Sequence, residues 1–163
     1  NGGKLMANRT AKATSFFELW FDHGVSPENA TYEFVLLPGM DAAETQSYAS
    51  SPDIEILSNT PQVQAVREKN TGVSAYVFWQ AGSFDGITVT QPMMVMTRET
   101  DAGLELSVSD PTHKLQSASI TLEGSYSLQE ADSRITAANQ TGSFTLNIDF
   151  KDSLGKTLGA VLD

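Results

Sequence analysis

Cysteine is absent from all 163 residues, so no disulfide, thiolate nucleophile or cysteine-based metal site can be built. Basic residues are scarce: 10 Lys and Arg stand against 20 Asp and Glu, for a formal net charge of -10. Nucleic-acid binding draws its affinity largely from Lys and Arg neutralising phosphates, so no nucleic-acid partner is expected. The same deficit disfavours a primary docking role toward polyanionic sugars. Long hydrophobic runs are missing too. The stretch Phe34-Val-Leu-Leu37 is among the longest and is far too short to cross a bilayer, so no membrane partner is expected. No segment combines a basic start, an apolar middle and a small-residue end, so a secretory leader, if there is one, is expected upstream of Asn1. Helical periodicity is almost absent.

What is present is a chain able to bury a core, with 40% hydrophobic and only 18% charged residues. Period-two alternation recurs throughout. Ser15 to Phe21 places Phe17, Leu19 and Phe21 on one face and Phe16 and Trp20 on the other, as for a strand covered on two sides. Asp22 to Asn29 is a polar connection turned by Gly24 and Pro27, after which Tyr32, Phe34 and Leu36 form one face of a second strand ending at Pro38-Gly39. Asp41 and Glu44 have capping-box spacing, which predicts a two-turn helix over 41–49 stopped by Pro52. The segment 50–53 is the expected domain boundary.

Beyond it, short strands are predicted at 54–57, 62–67, 73–79, 87–90, 93–99, 104–109, 117–122, 135–137, 144–150 and 157–162, with glycines between them. Phe144, Leu146, Ile148 and Phe150 form the clearest one-face strand, with Thr145, Asn147 and Asp149 facing the other way. Regular short strands at this spacing indicate an antiparallel β-sandwich. There is no internal repeat and no low-complexity tract.

Three segments carry a family resemblance. The first is Trp20-Phe-Asp-His-Gly24 with the following block to Gly39. The second is Ile54-Glu-Ile-Leu-Ser-Asn-Thr60 with Val63-Gln-Ala-Val66, and the third is Gly103-Leu-Glu-Leu-Ser-Val-Ser-Asp-Pro-Thr112. In this order they resemble the C-terminal β region of the family 8 polysaccharide lyases, which include hyaluronate, chondroitin and xanthan lyases. The resemblance implies an all-β antiparallel sandwich over 51–163, preceded over 1–50 by the last strands of a larger central β-domain. It implies a secreted bacterial parent with an upstream α/α toroid and central β-domain as partners and polysaccharide as an indirect one. The family's reaction is β-elimination at a uronic acid, in which a base removes the C5 proton and the leaving oxygen is protonated. Its catalytic Asn, His, Tyr, Arg and Glu groups lie upstream of the matched part. None can be carried onto a residue here, so no catalytic, cofactor-binding or metal residue is assigned.

The residues themselves offer several temptations. His23 titrates in the range useful to a general base and sits beside Asp22. The preference of such residues for turns favours a structural role, in which both hydrogen-bond the turn backbone. His113 is expected on an exposed turn. Asp101, Glu105 and Asp110 are near one another in sequence but lack EF-hand spacing, and are read as dispersed solvated carboxylates. Ser15, Ser83 and the other serines show no nucleophile-elbow spacing.

Tyr76, Phe78 and Trp79 share a strand. A core reading buries Tyr76 and Phe78, whereas a sugar-binding platform leaves at least one ring exposed beside polar neighbours. Met93, Met94 and Met96 are read as core filling. Asn8-Arg-Thr10, Asn29-Ala-Thr31 and Asn139-Gln-Thr141 match the glycosylation acceptor pattern, which a bacterial protein leaves unused. The expected role is a non-catalytic, cleft-supporting β region of a polysaccharide lyase. The rival is an autonomous carbohydrate-binding or adhesive β-sandwich, which requires an exposed aromatic platform or a calcium-ordered loop.

Overall fold

The computed structural model describes residues 18–140 and 142–163 and divides into two units, the described part of the first being marked by contacts among aromatic rings. This unit runs to Leu36 and the second covers Leu37–Asp163. Within the first, the rings of Phe21 and Tyr32 stack at 5.1 Å, and Phe34 lies 6.3 Å from Phe21. Asp22 Oδ1 accepts the Gly24 N–H at 2.8 Å and closes the expected turn. The strands predicted at 15–21 and 32–36 do not form ladders among the described residues, and Phe16 and Phe17 lie outside them. Instead Leu19, Trp20, Tyr32, Phe34 and Leu36 are largely exposed. The physical reason is that two apolar strands alone are marginal, and no further strand pairs with them among the described residues.

The second unit opens with helix α1 (Ala42–Ser50), and the predicted capping box is formed. Asp41 Oδ1 accepts from the backbone of Ala43 and Glu44, while Glu44 reaches back to the Asp41 N–H. The helix buries no side chain, so its cap is a large part of what holds it.

Twelve strands follow: β1 (Ile54–Asn59), β2 (Val63–Glu68), β3 (Val73–Phe78), β4 (Gly82–Phe84), β5 (Ile87–Val89) and β6 (Met93–Thr100) come first. Then come β7 (Gly103–Ser109), β8 (Ser117–Glu123), β9 (Leu128–Ala131), β10 (Ile135–Gln140), β11 (Ser143–Asp149) and β12 (Leu158–Leu162). They make a seven-stranded sheet, in the order β1-β2-β3-β6-β7-β12-β9, and a five-stranded sheet, in the order β10-β11-β8-β5-β4. Every pairing is antiparallel.

The predicted antiparallel sandwich is therefore present. Its core comes from alternate residues of both sheets: Tyr76, Phe78, Val95, Leu106 and Leu158 from one, Ile120, Leu122, Phe144, Leu146 and Ile148 from the other. Phe144, Leu146, Ile148 and Phe150 are all turned inward and buried. Each such side chain contributes about 1.5–3 kcal/mol when removed from water. Strands β4 and β9 were not among the predicted ones. β4 is joined to β5 by Asp85-Gly86, where φ is +51° and +74°. Positive φ at both central residues is the type I′ geometry that a two-residue hairpin loop requires. Gly103 (φ +122°) is also obligatory, because a methyl group there would overlap the carbonyl oxygen of Leu162.

Candidate functional site

Alternation decides what the sandwich shows to the outside. On the seven-stranded sheet, the residues that alternate with the core ones form rows set by register. Val66 lies opposite Ala75, which lies opposite Met96; Gln64 lies opposite Val77, which lies opposite Met94. Val66, Met94 and Met96 are exposed, and Trp79 continues the outer side of β3. The Trp79 indole N–H donates to Gln64 Oε1 at 3.3 Å, which fixes the ring against the sheet. The outcome is an apolar patch over three neighbouring strands, with the Arg98–Glu105 ion pair at its margin.

The outer side of the five-stranded sheet has the opposite chemistry. Thr136, Asn147 and Ser119 stand side by side on β10, β11 and β8. Ser119 Oγ donates to Asn147 Oδ1 at 2.8 Å. Thr90 joins the row through its hydroxyl, which accepts the Ser119 N–H at 2.8 Å. Together with Gln91, Ser117, Ser133 and Arg134 they line a groove of about 630 Å³.

Two polar clusters fasten the ends of the sandwich. In one, Asp85 Oδ2 accepts the Tyr76 hydroxyl at 2.8 Å and pairs with Arg67 at 3.1 Å, while Arg67 Nε donates to Ser74 Oγ. Burial first, and then the Asp85 carboxylate, push the Tyr76 phenol above its ordinary range. In the other, Asp110 is buried, and its two oxygens accept from the Thr112 N–H and hydroxyl and from the Lys114 and Leu115 N–H groups at 2.7–2.8 Å. Burial raises its pKa, but the Thr112 hydroxyl and the backbone donors of Leu115, Thr112 and Lys114 outweigh it and hold the carboxyl below the usual range.

The residues singled out from sequence fall as follows. Asp22 bonds the turn backbone as expected, but His23 does not share that task; its ring lies over Phe21, 6.4 Å away. His113 is exposed on its turn, and Asp101 is solvent-facing. Glu105 is paired with Arg98, and Asp110 is the opposite of a solvated carboxylate, because four donors converge on it. Tyr76 and Phe78 belong to the core, whereas Trp79 is 59% exposed. Of the methionines, Met93 fills the core but Met94 and Met96 do not, since β6 turns its even-numbered residues outward. Asn8, Ser15 and Thr141 lie outside the described residues. Sequence reasoning missed the Ser/Thr/Asn row and the Arg67–Asp85–Tyr76 cluster. The alternation of Thr145, Asn147 and Asp149 signalled the former; only tertiary register reveals the latter.

The described residues thus form an antiparallel sandwich with an apolar outer face on one sheet and a polar groove on the other. Comparison with known proteins identifies the class. Residues 55–119 match the C-terminal beta-sandwich domain of polysaccharide lyase family 8, and residues 3–49 match the super-sandwich domain of the same family. The chain belongs to polysaccharide lyase family 8. It is 36% identical over 156 residues to xanthan lyase of Bacillus sp. (strain GL1), covering 93% of this chain and 17% of that protein. With hyaluronate lyase of Enterococcus faecalis it shares 29% identity, over 86% of this chain and 14% of the relative. Among solved structures, Paenibacillus xanthan lyase superposes with a TM-score of 0.73 at 30% identity, over 77% of this chain and 12% of that one. Chondroitinase AC lyase in its oligosaccharide complexes gives 0.62 at 26% identity, over 82% of this chain and 19% of that one. The chain thus spans less than a fifth of each of these proteins.

Proposed function

We propose that this chain is the non-catalytic C-terminal β region of a secreted bacterial polysaccharide lyase that cleaves uronic-acid-containing polysaccharide by β-elimination. Its work is structural: it docks on the preceding domain and supports the wall of the substrate cleft. The observation that carries this reading is the apolar outer face of the seven-stranded sheet, where Val66, Trp79, Met94 and Met96 stand in water. A contiguous exposed patch of this kind marks an interface, with Trp the side chain best suited to anchor it. Membership of a lyase family and the short coverage of its relatives favour the remainder of the same enzyme as the partner.

The test uses Met96→Glu in two settings. In the 163-residue chain the charge sits at the surface and the melting temperature stays unchanged. In the parent lyase it falls at a desolvated interface and lowers the melting temperature and activity. Equal behaviour in both settings refutes docking through this face. The 163-residue chain itself releases no unsaturated product from hyaluronan, chondroitin or xanthan, read as flat ultraviolet absorbance. Turnover that His23→Ala abolishes would refute the non-catalytic assignment.

A second reading, an autonomous carbohydrate-binding module, is favoured by one observation: Trp79 is exposed beside Gln64. It ranks lower because the ring's own N–H is already taken by Gln64, and the outer side of β3 and β6 next to it carries Val77 and Met94, which have no groups that hydrogen-bond a sugar hydroxyl.

A further inference from the structure

We propose that the groove on the outer side of the five-stranded sheet is a binding site for a neutral, hydroxyl-rich saccharide segment. This goes beyond the docking reading and does not depend on it, since it uses the other sheet.

The lining decides the ligand class. Asn147 receives the Ser119 hydroxyl on its carbonyl oxygen, so its two N–H donors are left uncommitted within the groove. Gln91, Ser117 and Thr136 add amide and hydroxyl groups that make no side-chain hydrogen bonds among the described residues. These are groups that donate and accept at once, as sugar hydroxyls do. Ala118 and Ile148 give the groove an apolar floor between these groups, suited to the C–H face of a sugar ring, while a phosphate backbone would want a basic stripe and Arg134 is the one cation in the lining.

Charge narrows the class. Arg134 and Asp149 contribute one charge of each sign, and the guanidinium is held by the Lys151 carbonyl oxygen. The groove is therefore close to neutral on a chain of net charge -10, which opposes a polyanionic sugar.

Geometry favours binding without rearrangement. The lining side chains stand on paired strands, with Thr136 opposite Asn147 and Asn147 opposite Ser119. The groove, of about 630 Å³, is shallow and open, so a saccharide lies along it and is not enclosed. No aromatic ring lines the groove, so binding is weak, with a Kd on the order of 1 mM. In a polysaccharide-degrading enzyme a weak site of this kind gains its effect by being tethered to the cleft.

The test is an amide-shift NMR titration of the 163-residue chain with cellotetraose, maltotetraose and a hyaluronan tetrasaccharide. The expected result is saturable shifts at Ser117, Ser119, Thr136 and Asn147 with at least one neutral tetrasaccharide, and weaker binding of hyaluronan. Asn147→Ala and Thr136→Val each weaken the neutral ligand about fivefold, as loss of one hydrogen bond implies, while amides of the core strands keep their positions. No saturable shift from either neutral sugar up to about 20 mM, a range that covers millimolar binding, would overturn the proposal. So would tighter binding of hyaluronan, or shifts centred on Trp79. Failure of the docking reading is seen separately, in the Met96→Glu melting temperatures.

Discussion

Replacing Asp110 tests how the sandwich holds its β7–β8 connection. Four donors converge on two carboxylate oxygens: the Thr112 N–H and hydroxyl on Oδ1, the Lys114 and Leu115 N–H groups on Oδ2. Hydrogen bonds to a charged acceptor contribute about 1.5–3 kcal/mol each, but Thr112 and Lys114 are exposed enough to recover water in a variant. Only the Leu115 donor, on a half-buried residue packed against the core, stays dry. We expect Asp110→Ala to cost about 3–4 kcal/mol, a drop in Tm of about 6–15 °C for a chain of this size. Asp110→Asn is the sharper probe. Its carbonyl can serve Thr112, but its amide group then faces the Lys114 and Leu115 N–H donors head-on, for a cost of about 2 kcal/mol.

Acidity gives an independent readout. The folded-state pKa of Asp110 lies below its unfolded value. The stability it adds is thus fully present above the unfolded value near 4 and is lost as pH falls through the folded one. Urea unfolding between neutral pH and about pH 3 should show wild type losing an increment that Asp110→Asn has already lost. A cost below about 1 kcal/mol for both variants, within the range of an ordinary surface change, would refute the argument. So would parallel pH profiles.

Two further predictions concern local chemistry. Asp41→Ala removes the acceptor for the Ala43 and Glu44 N–H groups at the start of an exposed helix. It should unravel α1, seen as loss of hydrogen-exchange protection at 44–50, a cost of about 1 kcal/mol, while β11 protection is unchanged. Persistence of that protection would mean the helix is held by something other than its cap. Tyr76, alone among the tyrosines in donating to a carboxylate within the sandwich, should titrate above pH 10, with stability fully present below its unfolded pKa and lost as pH rises through the folded value. Ultraviolet difference titration should lose its latest phase in Tyr76→Phe, and a phase that remains would reassign the shift.

Much of the sandwich was legible because its strands alternate cleanly. Phe144 to Phe150 reads as one face, and that face is the core. β4 was overlooked although Asp85-Gly86, between Phe84 and Ile87, is a strong short-range hairpin signal. β9, Leu-Gln-Glu-Ala, carries no β-like residue beyond Leu128 and exists because β12 offers it a ladder. The Asp110 cluster was hidden because composition cannot say whether a carboxylate is buried. The Asp-Pro-Thr sequence does favour a turn in which Asp bonds nearby backbone. Met94 and Met96 were misjudged by residue type, when the phase of β6 decides their direction. The strands expected at 15–21 and 32–36 have the right pattern but form no ladder among the described residues. Pattern specifies a face; a ladder needs a second strand.

The strand order also fixes a sequence of events in synthesis. β12 emerges after every other strand, yet it lies between β7 and β9, and its Leu158 and Leu162 side chains are wholly enclosed. Until Leu162 has left the ribosome, β7 has an open edge and β9 has no place in the sheet. While β8 to β12 are still being made, the inner faces of β1 to β3, β6 and β7 have only β4 and β5 of the second sheet to pack against. Pairings this distant in sequence form slowly and leave apolar surface open to aggregation in the meantime. Whatever keeps the nascent chain from aggregating during that interval, its own negative charge included, is as much a condition of the fold as the contacts of the finished sandwich.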